Sequence, residues 1–295
     1  MTASVLPPTV TVDDGGEGFT RVLVDSPAAA GTVWLHGATV TSWRPAGSAY
    51  DVVFVSPRSR YAATAAIRGG IPLCAPWFGP GRDGTRTPAH GFLRTAPWSL
   101  VGARDDGTAV TLDLRLDPEV YAALPAAAGW PAGAVFTATV AFGADLDISL
   151  AVTADTEALD VEWALHTYVR VGDVREVRLD GLAGASYVDK VDGGRVTHQD
   201  GPLILTGETD RVYAATHPVT VTDPRLERRI TLTGVDSNQT VVWNPFGDKA
   251  AGMADLGDAW PEFVCVESAS VLDRFVTVAP GDTVRIGQRI AVELR

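Results

Sequence analysis

A histidine and a glutamate, each set in a stretch that alternates like a β-strand, are the residues of this chain best suited to acid–base chemistry. In residues 161–173, "VEWALHTYVRVGD", Val161, Trp163, Leu165, Thr167, Val169 and Val171 fall on one side and read as a core face. Glu162, Ala164, His166, Tyr168 and Arg170 fall on the other. In residues 261–270, "PEFVCVESAS", Phe263, Cys265 and Glu267 share one face and Val264 and Val266 the other. A carboxylate among apolar neighbours is poorly solvated, which raises its pKa toward the range useful to a general base. Taken singly, each residue has a plainer reading. Glu267 fits an edge-strand side chain facing water, and His166 fits a surface residue bonded to Tyr168 or Glu162.

Further charged groups sit in dense, rigid stretches. "IRGGIPLCAPWFGP" (67–80) sets Arg68 before a glycine pair, and "HGFLRTAPW" (90–98) sets His90 and Arg94 around Gly91. Glycine permits close approach of a ligand to the backbone, and arginine can grip an anion through a bidentate fork. A stiff loop with solvent-facing arginines reads equally well. In "GETDRVY" (207–213), Asp210 either binds hydroxyl groups or belongs to a turn before a strand. The histidines at 36, 90, 166, 198 and 217 lack a partner at short metal-ligand spacing, and neither Cys74 nor Cys265 lies in a CxxC. The sequence contains no P-loop, no strand-borne GxGxxG and no GxSxG elbow. Acid–base chemistry without a cofactor passes that filter.

The elements that must position these residues read as strands. "GTVWLHG", "VVFVS", "AVTLDLRL", "VFTATVAF", "DISLAVTA", "RITLTGV", "TVVWNPF" and "FVCVESA" are short, β-branched and bounded by turn formers. The single helical candidate is "DPEVYAALPAAA" (117–128), which Pro125 limits to a turn or two. Without a βαβ rhythm, a fixed-period repeat or a low-complexity linker, residues 1–295 read as one all-β domain, a large antiparallel β-sandwich. The composition, 46% hydrophobic and 20% charged, is that of a globular protein. The net charge of −12 argues against nucleic-acid binding. No run approaches the length of a membrane span, "MTASVLPPTV" lacks the features of a secretory signal, and two cysteines make no disulfide framework. A cytoplasmic monomer is expected.

Seven blocks, "RGGIPLCAPWFG", "HGFLRTAPW", "LHTYVRVGDV", "GLAGASYVDK", "ETDRVY", "VVWNP" and "FVCVESA", occur in order between residues 67 and 269. In order and spacing the chain resembles the hexose-6-phosphate mutarotases, the glucose-6-phosphate 1-epimerase branch of the aldose 1-epimerase family. The resemblance implies a galactose mutarotase-like supersandwich, no cofactor, and a sugar phosphate as substrate. By motif it implies His166 as general acid and Glu267 as general base. It also implies Arg68 and Arg94 as ligands of substrate and its phosphate, Asp210 as a substrate ligand, and His90 beside the sugar ring. Ala89 departs from the glutamine usual before "HG" in that branch, which bears on sugar preference. Trp77, Phe78 or Trp243 could stack on the sugar's apolar face, though each also fits a core position. Two other readings remain open: a mutarotase of free aldoses, with the arginines merely orienting their loop, and a noncatalytic carbohydrate-binding sandwich.

Overall fold

Residues 6–16 and 18–294 are described in a computed structural model of the chain. Every strand pairing among them is antiparallel. A four-stranded meander covers Val10–Asp14, Thr20–Asp25, Ala29–Trp34 and Thr39–Pro45. Two eight-stranded sheets follow. The first, here the site sheet, runs in the order Arg195–His198, Ser186–Asp189, Thr209–Tyr213, Gln239–Asn244, Phe263–Ser270, Trp163–Leu165, Leu73–Cys74, with Tyr168–Arg170 also paired to Phe263–Ser270. The second, the back sheet, is Arg178–Asp180, Val219–Asp223, Arg228–Val235, Thr283–Leu294, Leu146–Thr153, Val135–Phe142, Val110–Leu116, Ser99–Asp105.

Sequence alternation explains how the two sheets meet. In Val135–Phe142 and Leu146–Thr153 every second residue is buried, so one face turns inward and the other faces outward. Leu150, Val152, Phe136 and Ile286 of the back sheet share one apolar core with Trp163, Leu165, Val169, Val264 and Val266 of the site sheet. The core face read from residues 161–173 is therefore the inner face of the sandwich.

Phe263–Ser270 behaves differently: all eight of its residues are buried. A strand of an antiparallel sandwich is buried on both sides only when a further layer covers its outer face. Loops supply that layer here. Two small apolar clusters mark it, one containing Cys74, Phe78, Ala164, Val212 and Val241, the other Phe54, Tyr168, Leu256, Phe263 and Cys265. The "DPEVYAALPAAA" stretch forms a four-residue helix, Pro118–Tyr121, and a 3-10 turn, Pro125–Ala127, as expected. A second helix, Phe246–Ala251, was not expected, because six residues are too few to show a helical period. It belongs to an excursion that leaves the sheet at Asn244. That side chain donates to the carbonyls of Trp260 and Phe263 and accepts from the N–H of Phe246, tying both ends together.

Candidate active site

His166 and Glu267 meet because of strand register. Leu165 stands opposite Ser268 and Tyr168 opposite Cys265, so the same register puts His166 opposite Glu267. The imidazole Nε2 lies 3.3 Å from Glu267 Oε1. On the other flank of Phe263–Ser270, Val241 faces Glu267 and Trp243 faces Cys265, while Asp210 faces Trp243 one strand further on. Two adjacent rungs of the outer face therefore build the floor: Val212, Val241, Glu267 and His166 in one, Asp210, Trp243, Cys265 and Tyr168 in the next. Lys190 extends the second rung through its N–H bond to the Asp210 carbonyl.

Above this floor opens a cleft of about 260 Å³, and all six residues singled out from the sequence line it: Arg68, His90, Arg94, His166, Asp210 and Glu267. A larger cleft of about 350 Å³ lies over Ala63, Pro88, Leu124 and Pro125, but no titratable side chain lines it. Another, of about 320 Å³, is lined by Arg82, Asp83, Arg86, Asp160 and Glu162, with Arg82 paired to Asp160 and Arg86 to Asp83; of the three, the 260 Å³ cleft is the one that sets a histidine against a buried carboxylate. Among the described residues no cluster of three His, Cys, Asp or Glu is arranged to hold a metal ion.

Burial dominates the electrostatics of the pair. Glu267 is 1% exposed, and burial pushes its carboxyl well above the ordinary 4.5. The charge of Asp210 pushes the same way, against Lys190 and Arg94. Burial, then the charges of Arg94 and Arg68, lowers His166 to about 3. The favoured state is thus an uncharged pair with one titratable proton between carboxyl and imidazole. Moving that proton from Glu267 to His166 makes the carboxylate a base and the imidazolium an acid. His166 Nδ1 and Glu267 Oε2 are buried without a hydrogen-bond partner among the described residues, a costly condition typical of a site rather than of packing.

The cations differ in how far they are already engaged. Arg68 is held through Nε and its terminal nitrogens by Asp255 Oδ2, at 3.0 Å, and by the Tyr168 hydroxyl, at 3.2 Å. Lys190 pairs with Asp210 at 3.2 Å and lies over the Phe78 ring, while Lys249 pairs with Glu208. Arg94 has no carboxylate partner among the described residues; its guanidinium donates to the Ala89 carbonyl at 2.8 Å. At position 89, then, it is the main chain that orients Arg94. His90 accepts the Gly79 N–H at Nδ1, which leaves its ring proton on Nε2. Its ring stands edge-on to Phe78 and 6.0 Å from that of His166.

The sequence profile of the aldose 1-epimerase family matches residues 22–291. The chain belongs to that family. It is 35% identical over 253 residues to an Escherichia coli K12 protein named "Putative glucose-6-phosphate 1-epimerase", covering 84% of this chain and 82% of the relative. A Cenchrus ciliaris protein of the same name is 32% identical over 262 residues, or 85% and 77% of the two chains. A Salmonella typhimurium crystal structure described as a "putative mutarotase" superposes with a TM-score of 0.89 at 28% identity, over 99% of this chain and 96% of that one. The protein is an epimerase of galactose mutarotase-like fold.

Several positions depart from the sequence reading. In this epimerase Gly70 and Gly91 are required by chain packing. Gly70, at φ +69°, leaves no room for a Cβ, which would sit 2.1 Å from the Val40 carbonyl; at Gly91, φ +72°, it would sit 1.9 Å from that of Ala75. Glu162 shares the strand face of His166 but not its cleft. It is buried, and its two oxygens accept the N–H groups of Phe78 and Leu272, holding the cleft wall to the sheet. Arg170 lies outside the cleft, 3.6 Å from Glu262 and over the Phe54 ring. Asp210 sits within the strand Thr209–Tyr213, not in a turn. Of the three aromatic candidates, Phe78 and Trp243 line the cleft, whereas Trp77 packs on Phe92 and Trp130 and donates to the Pro88 carbonyl. Lys190, Lys249 and Asp255 were not singled out. Lys190 had a signal, since alternation in "SYVDK" sets it on the face of Val188, and that face is the outer one.

Proposed function

We propose that this epimerase interconverts the α and β anomers of a hexose 6-phosphate, with glucose 6-phosphate as the leading substrate. The names of its relatives and one feature of the cleft support that choice. The feature is Arg94, a guanidinium at the cleft wall with no carboxylate partner among the described residues, set beside the His166–Glu267 pair. An uncompensated guanidinium in a partly desolvated cleft favours an anion, and its planar fork matches phosphate.

Glu267 takes the proton of the anomeric hydroxyl while His166 delivers one to the ring oxygen. The bond from C1 to the ring oxygen breaks, leaving an open aldehyde. Rotation about C1–C2 presents the other carbonyl face, and reclosure returns both protons with the roles exchanged. The pair begins and ends with one proton, so the reaction needs none from solvent. His90, with Nε2–H free to donate, and Asp210, an acceptor held by Lys190, bind hydroxyl groups, and Arg68 shapes the phosphate end of the cleft.

One observation favours a mutarotase of free aldoses instead: Arg68 is already engaged by Asp255 and Tyr168. Exchange NMR of anomer interconversion separates the two readings, run on glucose 6-phosphate and on glucose with and without enzyme. A higher kcat/KM on glucose 6-phosphate is expected; a preference for glucose overturns the proposal.

A further inference from the structure

The ladder that brings His166 to Glu267 is incomplete at that very point. A regular rung between Thr167 and Val266 would exchange two N–H···O bonds. Val266 N–H does donate to the Thr167 carbonyl, at 3.1 Å, but Thr167 N–H turns back to the carbonyl of Leu165. His166 N–H points away from Phe263–Ser270, to the Pro72 carbonyl. The Val266 carbonyl therefore loses its ladder donor. Gln288 of the back-sheet strand Thr283–Leu294 replaces it: Nε2 donates to that carbonyl at 3.2 Å and to Ser268 Oγ at 3.1 Å. Its Oε1 accepts the Thr167 hydroxyl. Every hydrogen bond this amide makes among the described residues is directed at residues flanking the pair, Thr167 beside His166 and Val266 and Ser268 on either side of Glu267.

Gln288 is 2% exposed, between Ile286 and Ile290 on the inner face of its strand. Packing alone would place an aliphatic side chain there, because an amide in an apolar interface is unfavourable unless fully bonded. We propose that Gln288 is a positioning residue for the acid–base pair, supplying from the opposite sheet the missing half of the Thr167–Val266 rung and so fixing the imidazole against the carboxyl, which presupposes the roles proposed for His166 and Glu267. The kink at His166–Thr167 lets the ring lean toward Glu267, and the amide keeps the strands from closing into a regular rung.

Gln288→Met and Thr167→Val remove the contacts at nearly constant volume. Gln239→Met serves as the control, since Gln239 is equally a buried glutamine of this fold, but its Oε1 accepts the Val271 N–H away from the pair. In the full-length protein, kcat and KM for glucose 6-phosphate are measured alongside melting temperature and the ¹⁵N titration of the His166 ring. His90, Tyr168, Arg68, Arg94, Lys190 and Glu267 around that ring stay unchanged in all three variants. Gln288→Met and Thr167→Val are expected to lower kcat by about 10-fold or more with KM within about twofold, and the double variant to be little worse than the worse single one. The His166 titration should shift in both, while Gln239→Met loses stability alone. Unchanged kcat in folded Gln288→Met, or an equal fall in Gln239→Met, overturns the proposal. If Gln288→Met fails to fold, Thr167→Val decides by the same measurements. If the wild type shows no anomer exchange, the roles of His166 and Glu267 fall, and the ring titration still judges Gln288: an unchanged His166 signal rejects it.

Discussion

At the scale of single residues, the proposed mechanism depends on one proton shared by two buried groups. Glu267→Gln and His166→Asn each remove a separate transfer, so each is expected to lower kcat by roughly 10²–10⁴-fold in folded protein. Exchange NMR on the purified variants checks this, and near-normal turnover in either removes that residue from the mechanism. The raised carboxyl also has a stability signature. Above its unfolded pKa, near 4.5, the unfolded chain ionises Glu267 while the folded chain still holds the proton. Stability linked to this group is thus intact below pH 4.5 and falls as pH rises toward the folded value. Glu267→Gln should therefore gain melting temperature over wild type at pH 8 and little at pH 4. Equal differences at both would contradict a raised pKa. Arg94 calls for a substrate comparison. A charge-assisted hydrogen bond is worth about 1.5–3 kcal/mol, so Arg94→Ala should raise KM for glucose 6-phosphate roughly 10-fold or more and leave that for glucose nearly unchanged. Arg68→Ala, which also unties Tyr168 and Asp255, should impair both substrates.

At the scale of elements, strand periodicity and covering loops carried very different amounts of information in the sequence. Alternation set the inner face of residues 161–173 and put Glu267 on the face opposite Val264 and Val266, because period two survives wherever one side is buried. It could not tell an edge strand from a central one, so Glu267 kept an alternative reading as a water-facing side chain until pairing on both flanks was seen. The covering layer has no period at all. Hence the anchoring role of Glu162 and the Arg68–Asp255 pair, contacts between segments far apart in sequence, were not legible, nor was the helix Phe246–Ala251, too short to show a helical period. The glycines were legible as punctuation but not as packing. Gly91 shows what that means energetically. A left-handed backbone costs a side chain about 1–2 kcal/mol, and here the added Cβ would also strike the Ala75 carbonyl. Gly91→Ala is expected to destabilise the fold by more than about 2 kcal/mol and to displace His90 and Arg94, its near neighbours in the chain. Chemical denaturation with parallel kinetics tests it, and a variant as stable and as active as wild type would show that the 90–94 segment relaxes freely.

At the scale of the whole molecule, a formal charge of −12 opposes the dianionic substrate proposed above, which the cleft's own cations would attract. Arg68, Arg94, Lys190 and Lys249 line the cleft, against Asp210 and a Glu267 that burial keeps protonated. The partners of Arg68 and Lys249, Asp255 and Glu208, offset part of that positive charge but leave Arg94 unopposed. Many other acids are tied into surface pairs with arginine, as Asp145 is with Arg289, Asp236 with Arg285 and Glu176 with Arg225. Such pairs are already cancelled in the net −12, so the surplus acids still repel a phosphate at long range. At the cleft the cations stand nearer than those acids, and we expect this local field to govern the encounter. Screening shortens the reach of that field from about 30 Å at 0.01 M salt to about 8 Å at 0.15 M. We therefore expect kcat/KM for glucose 6-phosphate to fall roughly two- to five-fold between those concentrations of sodium chloride, and that for glucose to stay level. Arg94→Ala should flatten the dependence, because it removes the one cleft-lining cation without a carboxylate partner among the described residues. A rise with salt would mean that the −12 of the whole surface governs the encounter, and the cleft would then draw its substrate only at contact.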